Sequence, residues 1–114
     1  MKNLISLKNS REFKRVYDAK VSYANKYLVM YICPNESDFT RIGISVSKKV
    51  GNSVIRHRVT RLIRESYRLH KLEISSGIDI VVVARQSAKD KGYKEIESAF
   101  LHLLRLHKIY MLSE

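Results

Sequence analysis

The chain has 114 residues, a net charge of +11 at pH 7 and a pI near 10.0. That size fits one domain, 1–114, with a modest core, and that charge balance calls for an acidic partner, most simply nucleic acid. Cys33 is the only cysteine, which excludes an internal disulfide and a cysteine-based zinc set and suits a reducing cytoplasm. No apolar run approaches a membrane span, Met1-Lys2-Asn3 opens no secretory segment, and one Pro with four Gly argues against long disordered tracts.

Residues 1–9 read as an extended, basic lead-in. Asn9 with Glu12 three residues on predicts a capping box opening a helix from residue 10 to about residue 20. Phe13, Val16 and Tyr17 share one side of it, with Arg11, Lys14 and Arg15 around the edge. Such a stripe is most often a set of core anchors; alternatively Phe13 and Tyr17, at i and i+4, line a groove in which unpaired bases stack. Residues 27–32 read as a strand, Tyr27, Val29 and Tyr31 on one face and Leu28, Met30 and Ile32 on the other, followed by a turn over 34–38. A second strand over 41–47 places Ile42, Ile44 and Val46 on one face and the small Gly43 and Ser45 on the other, where a helix or an RNA backbone can approach.

Residues 47–71 carry Lys48, Lys49, Arg56, Arg58, Arg61, Arg64, Arg68 and Lys71 against a single carboxylate, Glu65. At helical spacing Ile55, Val59, Leu62, Ser66 and Leu69 form an apolar flank, and His57, Arg61, Arg64, Arg68 and Lys71 gather opposite. A solvated face would carry more acidic partners at i±4, and a membrane-surface helix would carry bulky aromatics on its apolar flank. Clustered like charges repel, which an anionic partner relieves. Val50-Gly51-Asn52-Ser53 reads as the turn into this helix, Asn52 or Ser53 capping it. The uncapped N–H groups there make a phosphate seat flanked by Lys48 and Lys49. The G-x-x-x-x-G-K pattern of a nucleotide-binding loop is missing, so the target is a nucleic-acid backbone.

Further on, residues 78–84 are the most apolar run and predict a buried strand. Arg85 is a candidate RNA contact at its edge, 89–92 a loop, and Ile96, Phe100, Leu103, Leu104 and His107 mark a last helix over the sheet, His107 at its boundary. The tail from Lys108 carries no signal. The order predicts a two-layer α/β sandwich with a sheet of about four strands and three helices. Phosphodiester cleavage by the chain alone would need clustered carboxylates or paired histidines, yet Asp18, Asp38, Asp79 and Asp90 are scattered. His57 and His70, in arginine-rich surroundings, are expected neutral, and all four histidines, His102 and His107 included, read as solvated or boundary residues. The chain reads as a binder without catalytic residues or a metal site of its own.

The run Ser47-Lys48-Lys49-Val50-Gly51-Asn52-Ser53-Val54-Ile55-Arg56-His57-Arg58-Val59-Thr60-Arg61-Leu62-Ile63-Arg64-Glu65 resembles the signature of the bacterial ribonuclease P protein component, Arg56-His57-Arg58 standing at its "RNR" motif. Arg41-Ile42-Gly43-Ile44-Ser45-Val46-Ser47, Phe13, Tyr17 and the chain length extend the resemblance over nearly the whole chain. Two departures stand out: His57 replaces the usual Asn, an imidazole for an amide, and Lys20 stands where the family often has Gly, so the turn there is expected to differ. The resemblance implies the order α-β-β-β-α-β-α with an unusual left-handed βαβ crossover. It implies a hydrolase, an endoribonuclease that removes the 5′ leader of precursor tRNA, whose RNA subunit carries the active site and Mg²⁺. It further implies that Lys49, Gly51, Asn52, Arg56, His57, Arg58, Arg61, Arg64 and Arg68 meet the RNA subunit, and that Phe13, Tyr17, Tyr31, Lys48 and Lys49 meet the leader. The main alternative is a small RNA-binding protein resembling a ribosomal protein. A helix-turn-helix DNA binder lacks the short helix required before the basic one.

Overall fold

The computed structural model describes residues 5–111. Ile78–Ala84 (β4) is the organising strand, with Ile80, Val81 and Val82 wholly buried. An apolar run interrupted only by Asp79 can only sit where both faces are covered. In the sheet order β1-β2-β4-β3 it lies between Leu28–Pro34 (β2), antiparallel to it, and Arg41–Ser45 (β3), parallel to it. Ser22–Ala24 (β1) pairs antiparallel with β2 at one edge. At the other edge the lead-in pairs with β3: Leu7 N–H donates to Ile42 O and Ile42 N–H to Ile5 O. The lead-in is thus an ordered edge from residue 5, and its first four residues lie outside the described ones.

Two layers cover the sheet. Leu28, Met30, Ile42, Ile80 and Val82 face Ser53–His70 (α2) and Tyr93–Leu106 (α3), whose Ile96, Phe100, Leu103 and Leu104 complete the larger core. The stripe that α2 buries is Val59, Ile63, Ser66 and Tyr67, so the predicted apolar flank is corrected by part of a turn. Leu69 is 52% exposed, while Tyr67 is fully buried with its hydroxyl donating to Thr40 O. Apolar residues at 62, 63, 67 and 69 allow either rotation, and the large ring with its available acceptor selects the second.

On the opposite face Ser10–Asp18 (α1) buries Val16 against Leu7, Cys33 and Val81. Gly43 is where it comes closest, since a Cβ there would lie 2.7 Å from Phe13 Cζ. The small face of β3 therefore receives a helix. Asn9 caps α1 through Glu12 N–H, but the Glu12 carboxylate accepts from Lys8 N–H, one residue before the predicted partner. The helix ends two residues early, and Lys20 has φ +59°, the left-handed conformation that glycine favours. The tail is part of the fold as well: Ile109 is buried, and its carbonyl accepts from Ser75 N–H.

Candidate nucleic-acid interface

The connection from β3 to α2 carries the first cationic group. Val50 is buried and anchors the turn, Lys48 and Lys49 are exposed, and Asn52 Oδ1 accepts from Ile55 N–H to cap α2. Gly51 has a steric reason, because a Cβ there would meet Ile55 Cγ2 at 2.8 Å. No acidic residue stands in the first turn, so the positive end of the helix dipole is left for an external anion.

Along α2, His57, Arg61, Arg64 and Arg68 fall at i, i+4, i+7 and i+11 and form one exposed stripe. His57, Arg61 and Arg64 make no side-chain hydrogen bond or ion pair with any described residue. Arg68 is half neutralised by Glu65, with Nε and Nη2 on the two carboxylate oxygens at 2.9 and 2.5 Å. The Arg68 hydrogen bond holds the Glu65 carboxyl below its ordinary value. Arg56 and Arg58 are placed differently. Arg56 Nη1 donates to Gly51 O at 3.3 Å, bracing the turn, and Arg58 forks onto the carbonyls of Lys89 and Lys91. Within the three-residue motif, His57 alone points wholly outward.

The second group lies on the other face of the sheet. Tyr17 and Tyr31 meet edge-to-face at 4.8 Å, and Phe13 lies 6.5 Å from Tyr17. All three are half-buried over Leu7, Val81 and Val83. Val16 supplies the core contact of α1, and the aromatics line the boundary between that helix and the open sheet face. The core-anchor reading thus holds for Val16, while Phe13 and Tyr17 are only half-buried.

What holds α1 there is Asp79, a carboxylate inside the most apolar strand and fully buried. Its oxygens accept from Arg15 Nη2 at 2.7 Å, Arg41 Nη2 at 2.7 Å, Arg41 Nε at 2.9 Å and Asn35 Nδ2 at 2.8 Å. Burial would raise the Asp79 carboxyl, but the hydrogen bonds from Arg41, Asn35 and Arg15 outweigh it and hold it below its ordinary value. Arg41 also reaches Glu12 at 3.1 Å, so the helix is tied at two turns. Sequence reasoning noted Asp79 only as scattered; the available signal was a lone charge amid isoleucines and valines, which is buried only when paired.

His70 departs from expectation, whereas His107 sits at the boundary as predicted. His70 bridges Glu73 at 2.9 Å and Glu97 at 2.7 Å. Burial pushes its imidazolium down, but the bonds from Glu97 and Glu73 prevail and raise it, so it is not held neutral by its arginine neighbours. His107 is an anchoring residue, its Nε2 2.8 Å from Met30 O, and burial lowers it. Arg85 Nη1 donates to Asn25 O. Among the described residues no three His, Cys, Asp or Glu side chains gather as a metal site, and no helix is long and apolar enough to cross a membrane.

An α/β sandwich with an arginine stripe on one layer and a row of aromatics against the other is a small RNA-binding protein. The profile of the family described as Ribonuclease P matches residues 1–108. The ribonuclease P protein component of Lachnoclostridium phytofermentans is 62% identical over 109 residues, covering 96% of this chain and 94% of that one. That of Alkaliphilus oremlandii is 51% identical, covering 92% of each. Among solved structures, the RNase P protein of Staphylococcus aureus superposes with a TM-score of 0.87 at 41% identity, covering 95% of this chain and 99% of that one. The Thermotoga maritima protein does so with a TM-score of 0.82 at 30% identity, covering 89% and 96%. The chain belongs to the ribonuclease P protein component family. It is the protein subunit of a ribonucleoprotein enzyme that processes the 5′ leader of tRNA by RNA-based catalysis.

Proposed function

We propose that the two cationic and aromatic surfaces divide the labour of this subunit. The exposed stripe of His57, Arg61, Arg64 and Arg68, with the capped turn of Lys49, Gly51 and Asn52, docks on the RNA subunit; Arg56 and Arg58 act there by holding the turn and the 89–91 loop in place. Phe13, Tyr17 and Tyr31 receive unpaired bases of the precursor's leader, while Lys48 and Lys49 take its phosphates. The observation that carries this reading is topological. The α2 stripe and the aromatic row belong to opposite layers of one sheet. One rigid body can therefore touch a structured RNA and a single strand at once.

Physically, the subunit lowers repulsion between two polyanions. Neutralising six phosphates implies an affinity that drops by about 10³ between roughly 50 and 200 mM salt. Mg²⁺ belongs with the RNA subunit in this reading. Among the described residues the one fully buried carboxylate, Asp79, has both oxygens occupied by Arg15, Arg41 and Asn35 and is not available to that ion. The work is placed in the cytoplasm, where the lone Cys33 thiol stays reduced.

Reconstitution with a bacterial catalytic RNA at low Mg²⁺ tests the reading. The protein should stimulate leader cleavage; Arg61→Glu with Arg64→Glu should abolish assembly, and Phe13→Ala or Tyr17→Ala should weaken leader affinity while assembly persists. Unchanged assembly in the first variant, or hydrolysis by RNA-free protein, defeats it.

A further inference from the structure

A groove of about 570 Å³ opens between the turn before β2 and the first half of α3. Its floor is the Tyr27 ring and Ala99, and Lys26 and Lys94 stand exposed at its rim. Lys91 reaches it from the neighbouring loop: the ammonium groups of Lys26 and Lys91 each lie 5.6 Å from the Tyr27 ring centre. The one carboxylate in the lining, Glu95, is committed to Gly92 N–H at 3.0 Å, and Asp90 is 3.8 Å from Lys91. The volume falls in the range of small-ligand clefts.

The far end of the groove is a fixed hydrogen-bond donor. Asn25 Oδ1 accepts from Tyr27 N–H and Leu28 N–H, which settles the orientation of the amide. Its Nδ2 then donates to Ala99 O at 2.9 Å and faces His102 Nδ1 at 3.1 Å. Nδ1 is therefore the acceptor of that contact, which leaves the His102 N–H on Nε2. An aromatic floor, three ammonium groups and an oriented N–H together match a base with its phosphate.

We infer that this groove takes an unpaired nucleotide of the RNA subunit, with its base against Tyr27 and its phosphate among Lys26, Lys91 and Lys94. The RNA subunit is taken as the source because α2 is tied to the loop that borders the groove. Arg58 on α2 grips the carbonyls of Lys89 and Lys91, and that loop delivers the Lys91 ammonium to Tyr27. The inference rests on the assignment of α2 to the RNA subunit.

The test is a salt titration of affinity for the catalytic RNA, comparing the parent with Lys26→Gln/Lys94→Gln. Each phosphate contact has a slope of about 0.9, worth roughly 5-fold at about 0.15 M salt. The double variant should bind about 5-fold more weakly, with a shallower slope and an unchanged affinity for an isolated leader oligonucleotide. Affinity within about two-fold and an equal slope overturn the inference. Arg61→Glu/Arg64→Glu in the same titration reports on α2 separately, so a failure of that assignment is recognised as such. A second measurement places a photocrosslinker on Ser98→Cys in a Cys33→Ser background within the reconstituted holoenzyme. A crosslink to the RNA subunit that the lysine variant abolishes supports the groove, and a crosslink to the leader, or none, refutes it.

Discussion

Replacing Asp79 with Asn removes a single charge from the point where α1 is tied to the sheet. The carboxylate is fully buried, and it accepts four hydrogen bonds, three of them from arginines. An amide keeps the shape but turns an NH₂ group toward guanidinium donors. Removing one partner of a buried ion pair costs about 3–5 kcal/mol. The Arg15 and Arg41 side chains are 45% and 24% exposed and regain some hydration, which brings the expected cost to about 2–3 kcal/mol. With an unfolding entropy of about 2.1 cal/mol/K per residue over 114 residues, the melting temperature should fall by roughly 8–12 °C. Because α1 bears Phe13 and Tyr17, leader affinity should fall with it, while binding to the RNA subunit through α2 persists. Thermal unfolding followed by circular dichroism, with leader and RNA-subunit titrations on the same samples, reads all three quantities. A variant within about 0.5 kcal/mol of the parent that still binds leader normally would refute the role given to this network. The sign with pH is also set. A carboxyl held below 3.8 contributes fully above that value, and its contribution is lost as pH falls toward the folded-state value.

The two anchored histidines should give opposite pH slopes. His70, raised above 6.5, stabilises fully below that pH and loses its contribution as pH climbs through the folded value; His107, lowered, stabilises above 6.5 and loses its contribution as pH falls. Urea midpoints between about pH 5 and 8 should flatten on the alkaline side in His70→Gln and on the acid side in His107→Gln; an unaltered profile in either contradicts its assignment. Lys20→Gly should stabilise by about 0.5–1 kcal/mol, the relief of left-handed backbone less the added freedom of the unfolded chain, and a lower urea midpoint would count against it. Arg58→Ala should lose about 1–2 kcal/mol of stability through its two carbonyl bonds, whereas Arg61→Ala should stay within about 0.5 kcal/mol; equal losses would mean the fork is not structural.

Features that depend on a few consecutive residues were readable from the chain itself. The strand Ile78–Ala84 has its predicted bounds because seven residues with one polar interruption have no other stable place than the middle of a sheet. The Asn52 cap, the arginine stripe and the family signature are likewise written in short spacings. The tertiary structure decided what requires distant partners. Ile63 and Tyr67 rather than Leu69 enter the core because Thr40, in the loop before β3, offers an acceptor to the Tyr67 hydroxyl. Arg15 and Asp79 are 64 residues apart, and no local pattern announces their bond. Arg58 and Arg61 look equivalent in the sequence, yet one is spent on loop carbonyls and the other faces outward. Periodicity and caps act through neighbours along the chain, whereas a buried charge is tolerable only once the fold has brought its counter-charge to it.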